Sequence, residues 1–351
     1  MKVVIDEKIP FLRDALVDMG CEVLALPGSA ITRDDVLQAE ALFVRTRTIC
    51  NEALLHGTAV RFIGTATIGY DHIDTAYCES NGVAWTNAAG CNADAVLQYV
   101  QAVVYTWAKE KKRSLAGLTM GVVGVGEIGS RVARWAASEG MRLVLNDPLR
   151  EKRGDVGFSS LASLAEQSDI ITFHPTLSVG GEFPSYHLAD DAFFASMGRC
   201  ALFINASRGP VVDNAALLRA LERNGELCAV LDVWENEPAI DIALLNKVYM
   251  GTPHIAGYSA EGKINATTIV LEAFARFFGC TGQVPSLSLP APSPAVVRAA
   301  AFADAALQVY SPLVDSLRLK SAPVEFENLR NNYKLRRELS AYKLQLAIEK
   351  C

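Results

Sequence analysis

The sequence predicts an α/β protein with two doubly wound parallel sheets and a small C-terminal appendage. Three observations lead there. Short apolar runs alternate with helical stretches as far as about residue 280. One of those runs opens directly into a glycine-rich turn, GVGEIG at 124–129. A stretch rich in Pro and Ser, VPSLSLPAPSPAV at 284–296, then sets the last residues apart.

The first domain is read from five strand-like runs: KVVID (2–6), CEVLAL (21–26), ALFVRT (41–46), RFIGTAT (61–67) and VAWTNA (83–88). Helical candidates at 10–19, 32–39, 51–56 and 72–80 lie between them, with Asn51 and Asp71 as plausible starts. Such alternation implies a parallel sheet covered on both faces. A long helical stretch follows from Asn92 to Lys112, apolar along one face and basic at its end. It serves as a connector into the second unit.

That unit opens with TMGVVGVGEIGSRVARWA (119–136) and continues through RLVLND (142–147), DIITFH (169–174), ALFINAS (201–207), CAVLDV (228–233) and VYMGT (248–252). Six strands alternating with helices form the doubly wound pattern. The helix expected at 261–279 has no place in that sheet, so the chain is expected to cross back and complete the first domain. The tail, 297–351, is too small to bury a core alone, and its apolar Ala305, Leu307, Val309 and Leu313 call for a partner surface.

Composition narrows the function. The 351 residues are half hydrophobic and 21% charged, as in a folded globular chain. A net charge of −6 argues against a nucleic-acid or anionic-membrane surface. The start, MKVVIDEKIP, lacks the apolar core of a signal peptide, and no apolar stretch approaches the ~18 residues of a membrane span. The eight cysteines are scattered singly with no CxxC pair, so neither a metal site nor a disulfide framework is expected, and the reading is of reduced thiols in a cytoplasm.

Gly124, Gly126 and Gly129 follow an apolar run at a helix start, the arrangement of a Rossmann dinucleotide loop. The first glycine permits the tight turn, the second lets backbone approach a pyrophosphate, and the third lets helix pack on strand. The amides of Glu127 and Ile128 would face the phosphates at the positive helix end. Asp147, ending the next strand, can accept from ribose hydroxyls and repel a 2′-phosphate, which favours NAD over NADP.

Three polar segments then follow successive strand-like runs: SRGPVV (207–212), DVWENEP (232–238) and TPHIAGYS (252–259). Strand carboxyl ends are where open α/β sheets bind ligands. The segments offer Arg208, Glu237 and His254. An imidazole titrates near working pH and can take a hydroxyl proton as hydride leaves carbon. A carboxylate beside it favours the imidazolium and orients the ring, and a guanidinium grips a substrate carboxylate through paired N–H groups. Asp232, ending a strand, could reach a nicotinamide carboxamide. Taken singly each is more often a turn or surface residue; their joint placement carries the reading. His56 and His187 read as surface or turn residues, and His72, His174 and Cys91 as structural. His174 alone of these is expected near the cofactor.

In this order GVGEIG, SRGPVVD, DVWENEP and PHIAGYS resemble the signatures of the D-2-hydroxyacid dehydrogenase family, over nearly all of residues 1–280. GTATIGYDHID (64–74), AGCNAD (89–94), HIAGYSAEGK (254–263) and FENLRNNYKLRRE (326–338) resemble one branch of it, distinguished by a C-terminal dimerisation domain. The resemblance implies a flavodoxin-like substrate domain (1–95 and 255–285), a Rossmann NAD domain (96–254) and a C-terminal dimerisation domain (286–351). It implies Arg208, Glu237 and His254 as the catalytic set, with His254 the proton donor or acceptor. NAD would meet Asp147, Asp232 and Gly257 with the backbone of Ala206, Ser207 and Arg208, and Thr46, Thr67 and Tyr258 would contact the substrate. The substrate would be a small phosphorylated 2-hydroxy acid, its phosphate a match for Arg45, Arg47, Arg330, Arg336 or Arg337, and the enzyme a homodimer. The chain departs from the family in reading His174-Pro175-Thr176 where His-Thr-Pro is common, and its tail, ending at Cys351, is short for the branch. A family member for 3-phosphoglycerate or glycerate, and an NAD-sensing corepressor-like protein, remain alternatives.

Overall fold

The computed structural model describes residues 1–347; Cys351 lies outside them. The chain divides into two compact units, Met1–Asn92 with Ser259–Ala291, and Ala93–Tyr258 with Pro292–Cys351.

In the first unit β1 (Lys2–Asp6), β2 (Glu22–Leu26), β3 (Ala41–Val44), β4 (Phe62–Thr65) and β5 (Ala84–Asn87) form one sheet in the order β2-β1-β3-β4-β5. Every pair is parallel. The ALFV and FIGT runs of the two inner strands are buried throughout, as a sheet covered on both faces requires. One face packs against the helices Leu12–Asp18 and Ala260–Phe278, where Phe43, Phe62 and Phe274 meet at 5.5–6.0 Å. The helix Ala260–Phe278 therefore returns to this sheet, capped by Ser259 accepting from the Gly262 amide and ended by left-handed Gly279. β3 and β4 stop short of the runs that predict them, and the surplus residues 45–46 and 66–67 turn away at the strands' carboxyl ends.

In the second unit β6 (Thr119–Val123), β7 (Arg142–Asn146), β8 (Ile170–Phe173), β9 (Leu202–Asn205), β10 (Cys228–Leu231) and β11 (Met250–Gly251) form a six-stranded parallel sheet in the order β11-β10-β9-β8-β6-β7. A single parallel bridge, Leu145 to Phe158, marks where a further strand would join beyond β7. The order reverses between β6 and β8, the switch point at which such sheets bind nucleotides.

The long helix Ala93–Glu110 differs from its one-faced expectation: Val96, Tyr99, Val103, Val104 and Trp107 are all buried. The C-terminal segment supplies the second cover. It pairs β12 (Val296–Ala299) with β13 (Lys343–Leu346) in parallel and packs the helix Phe302–Val309 against the long helix. Ala305 is buried there, and Leu307, Val309 and Leu313 pack on the same core. The partner surface these residues call for is thus the second unit itself. Among the described residues no helix is long and apolar enough to cross a membrane, no side-chain cluster could hold a metal, and the seven cysteines form no disulfide.

Candidate active site

Because β9, β10 and β11 are neighbours, their carboxyl ends bring SRGPVV, DVWENEP and TPHIAGYS side by side. Asn205 closes β9 and organises the first loop. Its Oδ1 accepts from the Ser207 amide and hydroxyl, and its Nδ2 donates to the Arg208 carbonyl. Gly209 lies against the second loop so closely that a Cβ there would stand 1.8 Å from the Trp234 carbonyl oxygen. The Arg208 guanidinium donates to the Ser207 carbonyl at 2.8 Å and has no ion pair among the described residues.

Glu237 joins the second loop to the third. Its Oε1 accepts from the Trp234 amide at 2.9 Å, and its Oε2 accepts from His254 Nδ1 at 2.8 Å. Burial pushes its pKa up, but the hydrogen bond and charge of His254, the Trp234 amide and Arg330 outweigh that and hold it below the usual value. An ionised carboxylate can only accept, so the ring proton sits on Nδ1 and Nε2 is left to exchange a proton.

His254 itself has φ 57°, a left-handed conformation that neighbouring structure must hold. Asp232 does much of that. Its backbone carbonyl accepts from the His254 amide at 2.7 Å. Its buried carboxylate accepts from the Thr252 hydroxyl (2.7 Å) and from the Ile255 and Ala256 amides (2.8 Å each). Tyr99, from the long helix, hydrogen-bonds Thr252 in turn.

The glycine loop lies at the switch point. A Cβ on Gly124, whose φ is 81°, would stand 2.5 Å from the Pro175 nitrogen, and one on Gly129 would stand 2.1 Å from the Gly124 oxygen. Gly126 has open space before it. Asp147 accepts from the Val125 amide at 2.8 Å, so the acidic strand end is tied to the glycine loop. Beside them is a cavity of about 400 Å³ lined by Gly124, Gly126, Asp147, His174 and Thr176 among others. His174 holds Thr172 through Nε2, while its buried Nδ1 has no partner among the described residues, and burial pushes its pKa down to about 3. Open space before a glycine at a helix start, a carboxylate and an unpartnered ring nitrogen fit a dinucleotide.

The remaining expected residues fall as follows. Thr46 is exposed in the turn after β3. Thr67 bonds Thr65 and donates to the Gly69 carbonyl, after the adjacent strand β4. Ala206 is buried, and Gly257 and Tyr258 continue the His254 loop, with the Tyr258 ring 6.2 Å from that of Tyr333. Of the arginines read as phosphate candidates, Arg336 is buried and engaged with protein carbonyls, which removes it from that role. Arg330 stands 3.6 Å from Glu237 Oε2. His187, read as a surface residue, bonds Glu235 at 2.7 Å.

Residues 91–256 match the family described as D-isomer specific 2-hydroxyacid dehydrogenase, NAD binding domain. The erythronate-4-phosphate dehydrogenase of Bacteroides thetaiotaomicron is 48% identical over 98% of this chain and 99% of its own. The chain belongs to the D-isomer specific 2-hydroxyacid dehydrogenase family. The dehydrogenase uses NAD, consistent with the site beside Gly124. It is 42% identical to the erythronate-4-phosphate dehydrogenase of Yersinia pestis over 98% of this chain and 95% of that one. A D-lactate dehydrogenase from Aquifex aeolicus, solved with NAD and lactic acid, superposes with a TM-score of 0.60 at 26% identity. It covers 97% of that chain but 81% of this one, so part of the dehydrogenase has no counterpart there.

Sequence reasoning missed Asn205 and Thr252, and it gave Arg336 to the substrate phosphate rather than to the loop beyond His254. The first two had a signal, Asn205 being a polar residue in the run just ahead of SRGPVV and Thr252 the residue that ends VYMGT and opens TPHIAGYS. Arg336 had none, since its acceptors Ala95, Ile255 and Ala256 are far away along the chain.

Proposed function

We propose that the dehydrogenase oxidises 4-phospho-D-erythronate to 3-hydroxy-2-oxo-4-phosphooxybutanoate, a step in the biosynthesis of pyridoxal 5′-phosphate (vitamin B6). The observation that carries the chemistry is the Glu237–His254 pair, whose Nδ1 is committed to the carboxylate and whose Nε2 is free to work. His254 Nε2 takes the proton of the C2 hydroxyl, and Glu237 stabilises the imidazolium that forms. NAD, when bound, supplies the acceptor for the hydride leaving C2. Arg208, with no ion pair among the described residues, holds the substrate carboxylate and polarises the oxygen beside it.

Asp147 takes the ribose hydroxyls. Gly124, Gly126, Glu127, Ile128 and Gly129 take the pyrophosphate, and Ala206, Ser207 and Gly257 offer backbone to the cofactor. A carboxylate has about four lone-pair sites; three donors occupy that of Asp232, leaving one for the nicotinamide carboxamide. Thr46, Thr67 and Tyr258 bind the substrate. The names of the Bacteroides and Yersinia relatives support the substrate.

The dehydrogenase works as a cytoplasmic homodimer, with the C-terminal segment as its interface. Val314, Leu317 and Val324 support that surface, at 51%, 67% and 93% exposure. Light scattering on Leu317→Lys should then report a monomer.

The function is tested by comparing 4-phosphoerythronate with erythronate and 3-phosphoglycerate, with a 2-oxo acid present to reoxidise bound NADH. The phosphorylated four-carbon acid should give the highest kcat/KM. Faster turnover of 3-phosphoglycerate would favour the sibling enzyme. Tight NAD binding without turnover of any of the three would favour a sensing protein.

A further inference from the structure

We propose that Arg336 is a positioning residue for the catalytic loop of its own chain, so that the C-terminal segment is a working part of the active site. The proposal rests on the assignment of His254 as the proton acceptor. The loop after His254 is pinned from two sides. Asp232 takes the amides of Ile255 and Ala256, and Arg336 takes their carbonyls. Nη1 donates to the Ile255 carbonyl at 2.9 Å, and Nη2 donates to the carbonyls of Ala256 and Ala95, the latter at 2.9 Å. Nε donates to Gln98 Oε1 at 3.3 Å, and the guanidinium lies over the Tyr310 ring at 4.3 Å.

The group thus couples three parts of the second unit: the start of the long helix, the C-terminal segment and the peptides beyond His254. Only a planar fork with donors in fixed directions can reach all these acceptors; an ammonium is a point with three rotatable donors. Without Arg336 both carbonyls lose a buried donor, the Ile255 carbonyl keeping only the Tyr258 amide at 2.9 Å, and the left-handed turn at His254 is left to Asp232 on the main chain and Glu237 on the ring. The same segment reaches the other half of the catalytic pair, since Arg330 stands 3.6 Å from the Glu237 oxygen that accepts from His254.

The test uses the full-length enzyme with NAD, as Arg336→Met and Arg336→Lys. Displacement of a reacting group by about 1 Å costs on the order of a hundredfold. Both folded variants should therefore lose tenfold or more in kcat, on the order of that bound, whereas NAD affinity, set mainly at the glycine loop, should change by less than about threefold. Lys should fall nearly as far as Met, because the charge survives and the fork does not. Hydrogen exchange of the peptide spanning 252–258 should quicken in both, with β6 and β8 still protected. This arm needs no substrate, so it reads the loop even if 4-phosphoerythronate proves to be the wrong acid. A folded variant with wild-type kcat, or with unchanged exchange in 252–258, overturns the proposal. Should Arg336→Met fail to fold, Arg336→Lys, which keeps the stem and the charge, decides it.

Discussion

Gly209→Ala is a one-carbon perturbation whose cost can be worked from the structure. The new Cβ would stand 1.8 Å from the Trp234 carbonyl oxygen and 2.8 Å from the Glu235 nitrogen, both backbone atoms. Ordinary contact begins at 3.4 Å, so the Arg208 loop and the Glu237 loop must part by about 1.6 Å. No rotamer change can absorb that. Overpacking of this kind costs about 1–3 kcal/mol, which for a domain of this size lowers Tm by roughly 2–12 °C. The larger effect is on catalysis. Arg208 and the Glu237–His254 pair must act on one substrate, and misplacement by more than about 1 Å removes on the order of a hundredfold in rate. Steady-state kinetics and a thermal melt on the same preparation test both parts. NAD binding should survive, because Gly124 and Asp147 lie across the sheet. A Gly209→Ala enzyme with near-native kcat and Tm would show that the two loops have no need of their contact.

His254→Ala should lower kcat by roughly a hundredfold or more while leaving NAD binding nearly normal; unaltered turnover would remove His254 as the base. Glu237→Gln takes away the imidazolium's partner, so the acidic limb of the pH–rate profile should move down, and an unmoved limb would mean that the 2.8 Å contact has no electrostatic effect. Asp147→Ala should narrow the preference for NAD over NADP, and equal binding of both by the native enzyme would refute the charge argument. His174 is held neutral by burial, with its pKa near 3 against 6.5 for a free imidazole. As pH falls below 6.5 the unfolded chain takes that proton first, so stability is full above 6.5 and drains toward 3. The slope is about 1.4 kcal/mol per pH unit, or about 2 kcal/mol by pH 5. Denaturant unfolding of His174→Asn at pH 7 and pH 5 should lack this component, and an undiminished fall would place the acid sensitivity elsewhere.

The parallel sheets and the loops beyond their strands were legible because local pattern determines them. A strand-length apolar run such as ALFIN, followed by SRG, announces both the strand and the site at its end. The glycines were legible as a motif, but the reason for Gly209, a carbonyl from another loop, is visible only in three dimensions. The C-terminal segment was the hardest to read. Ala305 and Leu313 are apolar whether their cover is another subunit or the long helix of the same chain, and periodicity cannot tell one from the other. Arg336 sits in a basic run that reads as a match for a phosphate, and the cation–π contact and carbonyls that bury it come from three separate elements.

The bond from Arg336 to Ala95 spans 241 residues of chain, and that to Ile255 spans 81. Contacts of such range close large loops, and the entropy of closure is met before the contact returns anything. The strands of the second unit, paired with near neighbours in sequence, can form sooner. Refolding from denaturant should therefore restore sheet structure and buried tryptophan before it restores turnover, so that the last kinetic event is the docking of the C-terminal segment. During that interval the protein is folded by every spectroscopic measure of its sheets and still inert as an enzyme.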